Sequence, residues 1–139
     1  MRSILEYADI VKVSEEEIEL LTGYTDVRKA AESITEYGAK IVLITLGEKG
    51  SFVYLQDQQE AYVSGYSSKV VDTTGAGDIF GGSAMWKLLQ TGKAPGDLTE
   101  GDLRDITAFA CTSAGLSTTR PGGISSVPEY EEVLARMGK

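Results

Sequence analysis

The sequence predicts a layered α/β unit with some antiparallel strand pairing. Three observations carry that expectation. Short apolar segments of strand length alternate with segments of helical spacing along the chain. The longest apolar run, residues 41–46, is nearly continuous, as in a strand covered on both faces. Residues 69–79 pass from a β-branched stretch through a glycine-rich turn into an apolar helical pattern.

Length and composition bound the rest. The chain has 139 residues, room for one ordinary domain. Hydrophobic residues make up 42% and charged residues 24%, normal for a globular domain with a core. No run approaches the roughly 20 apolar residues of a membrane span. The first residues lack the apolar stretch of a secretory signal. A cytoplasmic protein with no membrane or nucleic-acid partner is expected. Thirteen basic against 21 acidic side chains give a net charge of −8, the wrong sign for a phosphate-backbone binder. A nucleotide remains open, because backbone N–H groups can supply the field it needs. With no histidine and one cysteine, the chain holds no imidazole-based triad, no internal disulfide and no ordinary zinc cluster.

The elements follow in order. Residues 9–13 read as a strand. Ser14 and Glu17 make a capping-box pattern for a helix over 15–21, closed by Gly23. Asp26 caps a helix over 27–37, where Val27, Ala30, Ala31 and Ile34 keep helical spacing. Residues 40–46 are a strand, 47–50 a turn, and 51–55 and 60–63 two strands joined through the polar turn 56–59. Residues 69–71 are read as a further short strand. A buried helix over 79–90 ends near Gly92. A loop spans 92–102, a second helix 103–116, a Ser/Thr/Gly loop 117–126, and a last helix 129–137 follows Pro128.

The loop Asp72-Thr-Thr-Gly-Ala-Gly-Asp78 carries the strongest chemical signal. A glycine turn opening a helix is an anion site, since the first N–H groups lack intrahelical partners and the macrodipole adds positive charge. Glycine at 75 and 77 lets a phosphate approach the backbone. A Walker A loop would need Gly-Lys-Ser/Thr after the second glycine, which is absent. Gly75, Gly77 and Gly81 also resemble a dinucleotide glycine pattern, but that motif requires a following strand and an acid about 20 residues on. Asp78 decides the chemistry. An acid beside a bound phosphate repels it, unless it takes a proton from a hydroxyl that attacks that phosphate. The alternative is an acid that only caps its helix.

These residues resemble the C-terminal signature of the ribokinase-like carbohydrate kinases, the PfkB family. The stretch from Lys12 to Gly23 is similar to the family's Asn-x-x-Glu segment, residues 45–50 to its nucleotide-phosphate turn, and residues 109–128 to its closing helix and cation loop. The resemblance implies the C-terminal half of a three-layer fold with a mixed, mostly parallel sheet flanked by helices. It covers the whole chain but begins mid-fold, so the N-terminal sugar-binding half and lid are expected to be missing. It implies an ATP:sugar phosphotransferase with Asp78 as general base and Gly75, Ala76 and Gly77 as anion-hole donors. Thr45, Gly47 and Gly50 would line the ATP phosphates and ribose, and Cys111 would sit near the adenine. Glu17 would order waters on Mg²⁺. Asp72, Thr74, Ser117, Arg120, Gly122 and Ser126 would surround a monovalent cation, K⁺, mostly through carbonyls.

The loop after residue 117 is most similar to bacterial fructokinases, which implies fructose as the preferred sugar, with ribose, 2-keto-3-deoxygluconate and a nucleoside left open. Two positions depart from the family: Ser14 stands in place of Asn, and Cys111 in place of an Asn near the base. On their own residue types, several features also fit plainer readings. Gly47 and Gly50 fit a hairpin turn, Glu15 to Glu17 fit first-turn acids, and Cys111 fits a small buried residue. Phe80 and Trp86 fit core, and Tyr62 and Tyr66 fit either an adenine border or packing on the hairpin. A half-domain is expected to self-associate as a homodimer or swapped pair. If it lacks an acceptor pocket, it is a nucleotide-binding module without turnover.

Overall fold

The computed structural model describes residues 2–65 and 69–138. In chain order the elements are α1 (Arg2–Leu5), β1 (Ile10–Ser14), α2 (Glu15–Thr22), α3 (Val27–Glu36), β2 (Ile41–Thr45), β3 (Gly50–Leu55), β4 (Glu60–Ser64), α4 (Ala76–Thr91), α5 (Glu100–Ser117) and α6 (Tyr130–Arg136). The four strands form one sheet in the order β1-β2-β3-β4.

The sheet is mixed, with helices on both faces. β1 and β2 run parallel, joined by α2 and α3; β2, β3 and β4 pair antiparallel. One parallel pairing out of three corrects the expectation of a mostly parallel sheet among the described strands. The links at 46–49 and 56–59 are far shorter than the dozen or more residues a parallel crossover needs.

Strand alternation sends side chains to two cores. Val11, Val13, Val42, Ile44, Phe52 and Tyr54 meet α2 and α3 on one face, where Ile18, Ala30 and Ile34 are buried. Ile41, Leu43, Val53 and Leu55 meet α4 and α5 on the other, against Phe80, Ala84, Leu88, Leu103 and Ile106. The two covered faces explain why residues 41–46 read as a continuous apolar run.

Local chemistry sets the helix ends. Ser14 and Glu17 form the expected capping box, Gly23 ends α2 in the left-handed region, and Asp26 Oδ1 accepts from Lys29 N at 2.9 Å. Thr99 and Asp102 form a capping box that opens α5 three residues before the expected start. α4 likewise begins at Ala76 rather than 79.

Residues 69–71, expected as a strand, are not one. Val70 and Val71 are exposed, and the N–H groups of Val71 and Asp72 both donate to the Thr118 carbonyl at the end of α5. Two valines carry β-propensity, but this segment bonds to the end of α5 and pairs with no described strand. Among the described residues no helix is long and apolar enough to cross a membrane.

Candidate active site

The loop 72–78 is held from below by one carboxylate. Asp72 Oδ1 accepts from Thr74 Oγ1 at 2.6 Å and Thr74 N at 2.9 Å, and its Oδ2 accepts from Gly122 N at 3.1 Å. Those bonds, the Thr74 hydroxyl first, hold the Asp72 carboxyl below its ordinary range. They also bring the loop against residues 117–126, so Asp72, Thr74, Ser117, Gly122 and Ser126 gather in one region.

The hydroxyls of Ser117 and Ser126 donate to the carbonyls of Ala114 and Gly123. Arg120 turns its guanidinium outward, 3.2 Å from Glu132. No arginine charge therefore enters the loop, and Arg120 can offer only its backbone there.

At the top, Gly75 adopts φ 76° and accepts the Ile79 N–H as α4 begins. Such a backbone turn favours glycine. The Ala76 N–H donates to the Thr73 carbonyl at 3.1 Å. The N–H groups of Gly75, Gly77 and Asp78 have no acceptor among the described residues. Three bare donors thus stand at the start of a 16-residue helix. The Asp78 N–H is a donor that sequence reasoning missed; helix-start geometry was the signal that could have found it.

Two cavities flank this helix start. One, of about 540 Å³, is lined by Ser14, Thr45, Gly47, Gly50, Ala76, Gly77 and Cys111, among others. It brings together every nucleotide-contact residue inferred from the resemblance. Gly47 is at φ 58° and begins a short 3-10 turn; Gly50 closes it at φ 109°. Cys111 lies at the cavity wall, with Sγ 2.8 Å from Ser51 Oγ. Burial pushes its thiol pKa up, partly opposed by Ser51.

Glu17 stands apart from that cavity. Its carboxylate accepts from Ser14 N at 2.7 Å, and that bond, aided by nearby Lys12, lowers its pKa. Glu15 and Glu16 border the cavity instead. Tyr62 is also elsewhere, donating its hydroxyl to the Lys49 carbonyl. Tyr66 lies outside the described residues.

The other cavity, of about 530 Å³, contains Asp78 at its lip with Gly75, Ile79 and Gly82. Its far wall is a cluster of Trp86, Phe109 and Tyr130 with ring centroids 5.1–5.8 Å apart, Trp86 stacked on Phe109 and edge-on to Tyr130. Phe80 is core, as expected, but Trp86 is 41% exposed and forms part of this wall. The Asp78 side chain is exposed and makes no hydrogen bond to any described residue, and Gly75 receives no side-chain cap. Asp78 is therefore not a helix cap. It separates the two cavities with a free carboxylate. The dinucleotide pattern fails on context, because α4 runs into α5 with no strand between.

Fructokinase-2 of Solanum habrochaites is 36% identical over 135 residues, covering 96% of this chain and 40% of that protein. The structure of a fructokinase from Vibrio cholerae in its fructose-, ADP- and calcium-bound form superposes with a TM-score of 0.85 at 31% identity, over 96% of this chain and 42% of that one. An Arabidopsis thaliana ribokinase complexed with ribose and ATP gives 0.85 at 29% identity, over 100% and 44%. The chain spans about two fifths of the length of the curated relatives it matches. Residues 1–130 match the profile of the pfkB family carbohydrate kinases, and the chain belongs to that family.

Proposed function

We propose that residues 1–139 form the nucleotide-binding, catalytic-base half of an ATP-dependent sugar kinase, cytoplasmic, with fructose as the acceptor. The observation that carries this is the free Asp78 carboxylate beside the bare N–H groups of Gly75, Gly77 and Asp78, between two cavities. The cavity of Thr45, Gly47, Gly50 and Cys111 takes the nucleotide. Asp78 takes the proton of a sugar hydroxyl on the other side. As that oxygen bonds the γ-phosphorus, the bond to ADP breaks and the bare N–H groups hold the charge of the moving phosphoryl group.

Among the described residues no three metal-binding side chains gather at one point. Mg²⁺ therefore fits here only through phosphate oxygens and water, its usual coordination. Glu17, exposed and held ionised, suits an acceptor for such waters. K⁺ fits the loops joined by Asp72, whose ionised carboxylate bridges them while Arg120 pairs with Glu132 instead. A bound K⁺ would fix the loop's geometry and field.

A second reading concerns this chain by itself. The wall beyond Asp78 is aromatic, poor in groups that could hold a sugar's hydroxyls. The chain alone then binds nucleotide without turning over. Calorimetric titration with ADP should give saturable one-to-one binding, followed by no fructose-stimulated ATP hydrolysis. No ADP binding at millimolar concentration overturns the proposal for this chain.

The same face predicts self-association. Trp86 of α4 is exposed beside Ile124, Val127 and Tyr130 around the same cavity. An apolar patch of this kind marks a surface that another chain or domain covers. Light scattering should show dimers or larger species at high concentration; a clean monomer there removes the expectation.

A further inference from the structure

We infer that Tyr62 is a positioning residue for the nucleotide: its hydroxyl fixes the orientation of one peptide unit in the turn at 47–50. The inference rests on the kinase reading. Tyr62 pairs in register with Phe52, and Phe52 belongs to the core under α2 and α3. Directly opposed residues of paired strands share a face, so Tyr62 stands on that side of the sheet. Ser51 points to the other side, where it meets Cys111 of α5 at the cavity wall. Tyr62 therefore lies behind the nucleotide cavity and lines none of it. It is half exposed, and its hydroxyl donates to the Lys49 carbonyl. No other described residue donates to that carbonyl.

The peptide unit between Lys49 and Gly50 is planar, so its carbonyl and its N–H point in opposite directions. The N–H donates into the turn, to the Gly47 carbonyl, and the carbonyl is directed out to Tyr62. Both ends of the unit are thus held. The hold matters because the unit ends in glycine. Gly50, at φ 109°, has no Cβ to oppose rotation, and glycine takes either sign of φ at similar cost. A half-turn of the unit would break the bond to Gly47 and set two carbonyls against each other. Gly47 and Gly50 line the cavity, so a carbonyl oxygen's partial negative charge would then face an anionic nucleotide. Tyr62 acts on the nucleotide only through this peptide, from the opposite face of the sheet.

The test compares the wild-type 139-residue chain with Tyr62→Phe, which keeps the ring and removes only the hydroxyl. Calorimetry with ADP and amide hydrogen exchange read by NMR are the two measurements. ADP affinity should fall by about fivefold, the loss expected for one neutral hydrogen bond. Exchange of the Gly50 amide should quicken by about the same factor, because the freed peptide opens its bond to Gly47 more often. The amides at 52–54 inside β3 and the urea midpoint should hold. Equal ADP affinity of the variant and the wild type overturns the inference and leaves the kinase reading standing. Loss of affinity with an unchanged Gly50 amide overturns it too, since the hydroxyl then acts by another route. Faster exchange throughout β3 with a lowered midpoint marks a packing role and likewise overturns it. Wild-type chain that does not bind ADP removes the kinase reading and the inference together.

Discussion

Replacing Asp78 by Asn is expected to lower kcat of the full-length kinase by about 10²–10⁴-fold, the range for a lost general base. Asparagine keeps the shape of the side chain but cannot take a proton. The folded state should hardly notice. The carboxylate makes no hydrogen bond to a described residue, so only its favourable interaction with the α4 dipole is lost. That interaction is typically worth about 0.3–1 kcal/mol at an exposed site. ADP affinity should stay within about twofold, because the cavity proposed for the nucleotide is lined by Thr45, Gly47 and Gly50 and not by Asp78. The split is the diagnostic: turnover falls while binding and unfolding midpoint hold. Steady-state kinetics on the full-length gene product, with urea unfolding of the 139-residue chain, reads both. Unchanged turnover removes the base assignment. A large drop in ADP affinity or stability instead would mean that the carboxylate holds the loop together.

Much of this site was legible in the sequence because its signals are local. A glycine turn followed by an acid and a helix can be seen in seven residues, and the structure places Gly75 at the left-handed φ that such a turn requires. The run at 41–46 announced a strand covered on two faces. Other features needed the third dimension. Spacing alone makes Gly47 and Gly50 a hairpin turn; only packing puts them in one cavity with Ala76, Gly77 and Cys111. Trp86 has the composition of core, but Phe109 and Tyr130 meet it at a surface. The strand expected at 69–71 failed for a related reason: pairing depends on a neighbour, and the Thr118 carbonyl takes those N–H groups instead.

Gly50→Ala should be among the most destabilising single-methyl changes in the chain. Gly50 sits at φ 109° and ψ −135°, a region that residues with a Cβ rarely occupy. Its N–H donates to the Gly47 carbonyl and its own carbonyl accepts the Leu46 N–H at 2.8 Å, so the turn cannot relax without losing bonds. A Cβ there would run into the Val63 carbonyl oxygen and lie 2.7 Å from the Ser64 carbonyl carbon, both backbone atoms of the paired strand. Strain of this kind costs about 1–3 kcal/mol. Overpacking adds about 1–3 more, for a sum of roughly 2–6 against a typical total stability of about 5–15. β3 and β4 would separate at that end, opening the cavity wall formed by Gly47, Gly50 and Gly65. Nucleotide affinity should therefore fall along with stability. Gly81 supplies the control. It lies inside α4, and a methyl added to it would meet nothing within 4 Å, so Gly81→Ala should stabilise the helix by up to about 1 kcal/mol. Urea unfolding of the two variants should shift in opposite directions from the wild-type midpoint. A Gly50→Ala chain that unfolds where the wild type does would show that β3 and β4 are not pinned at this glycine.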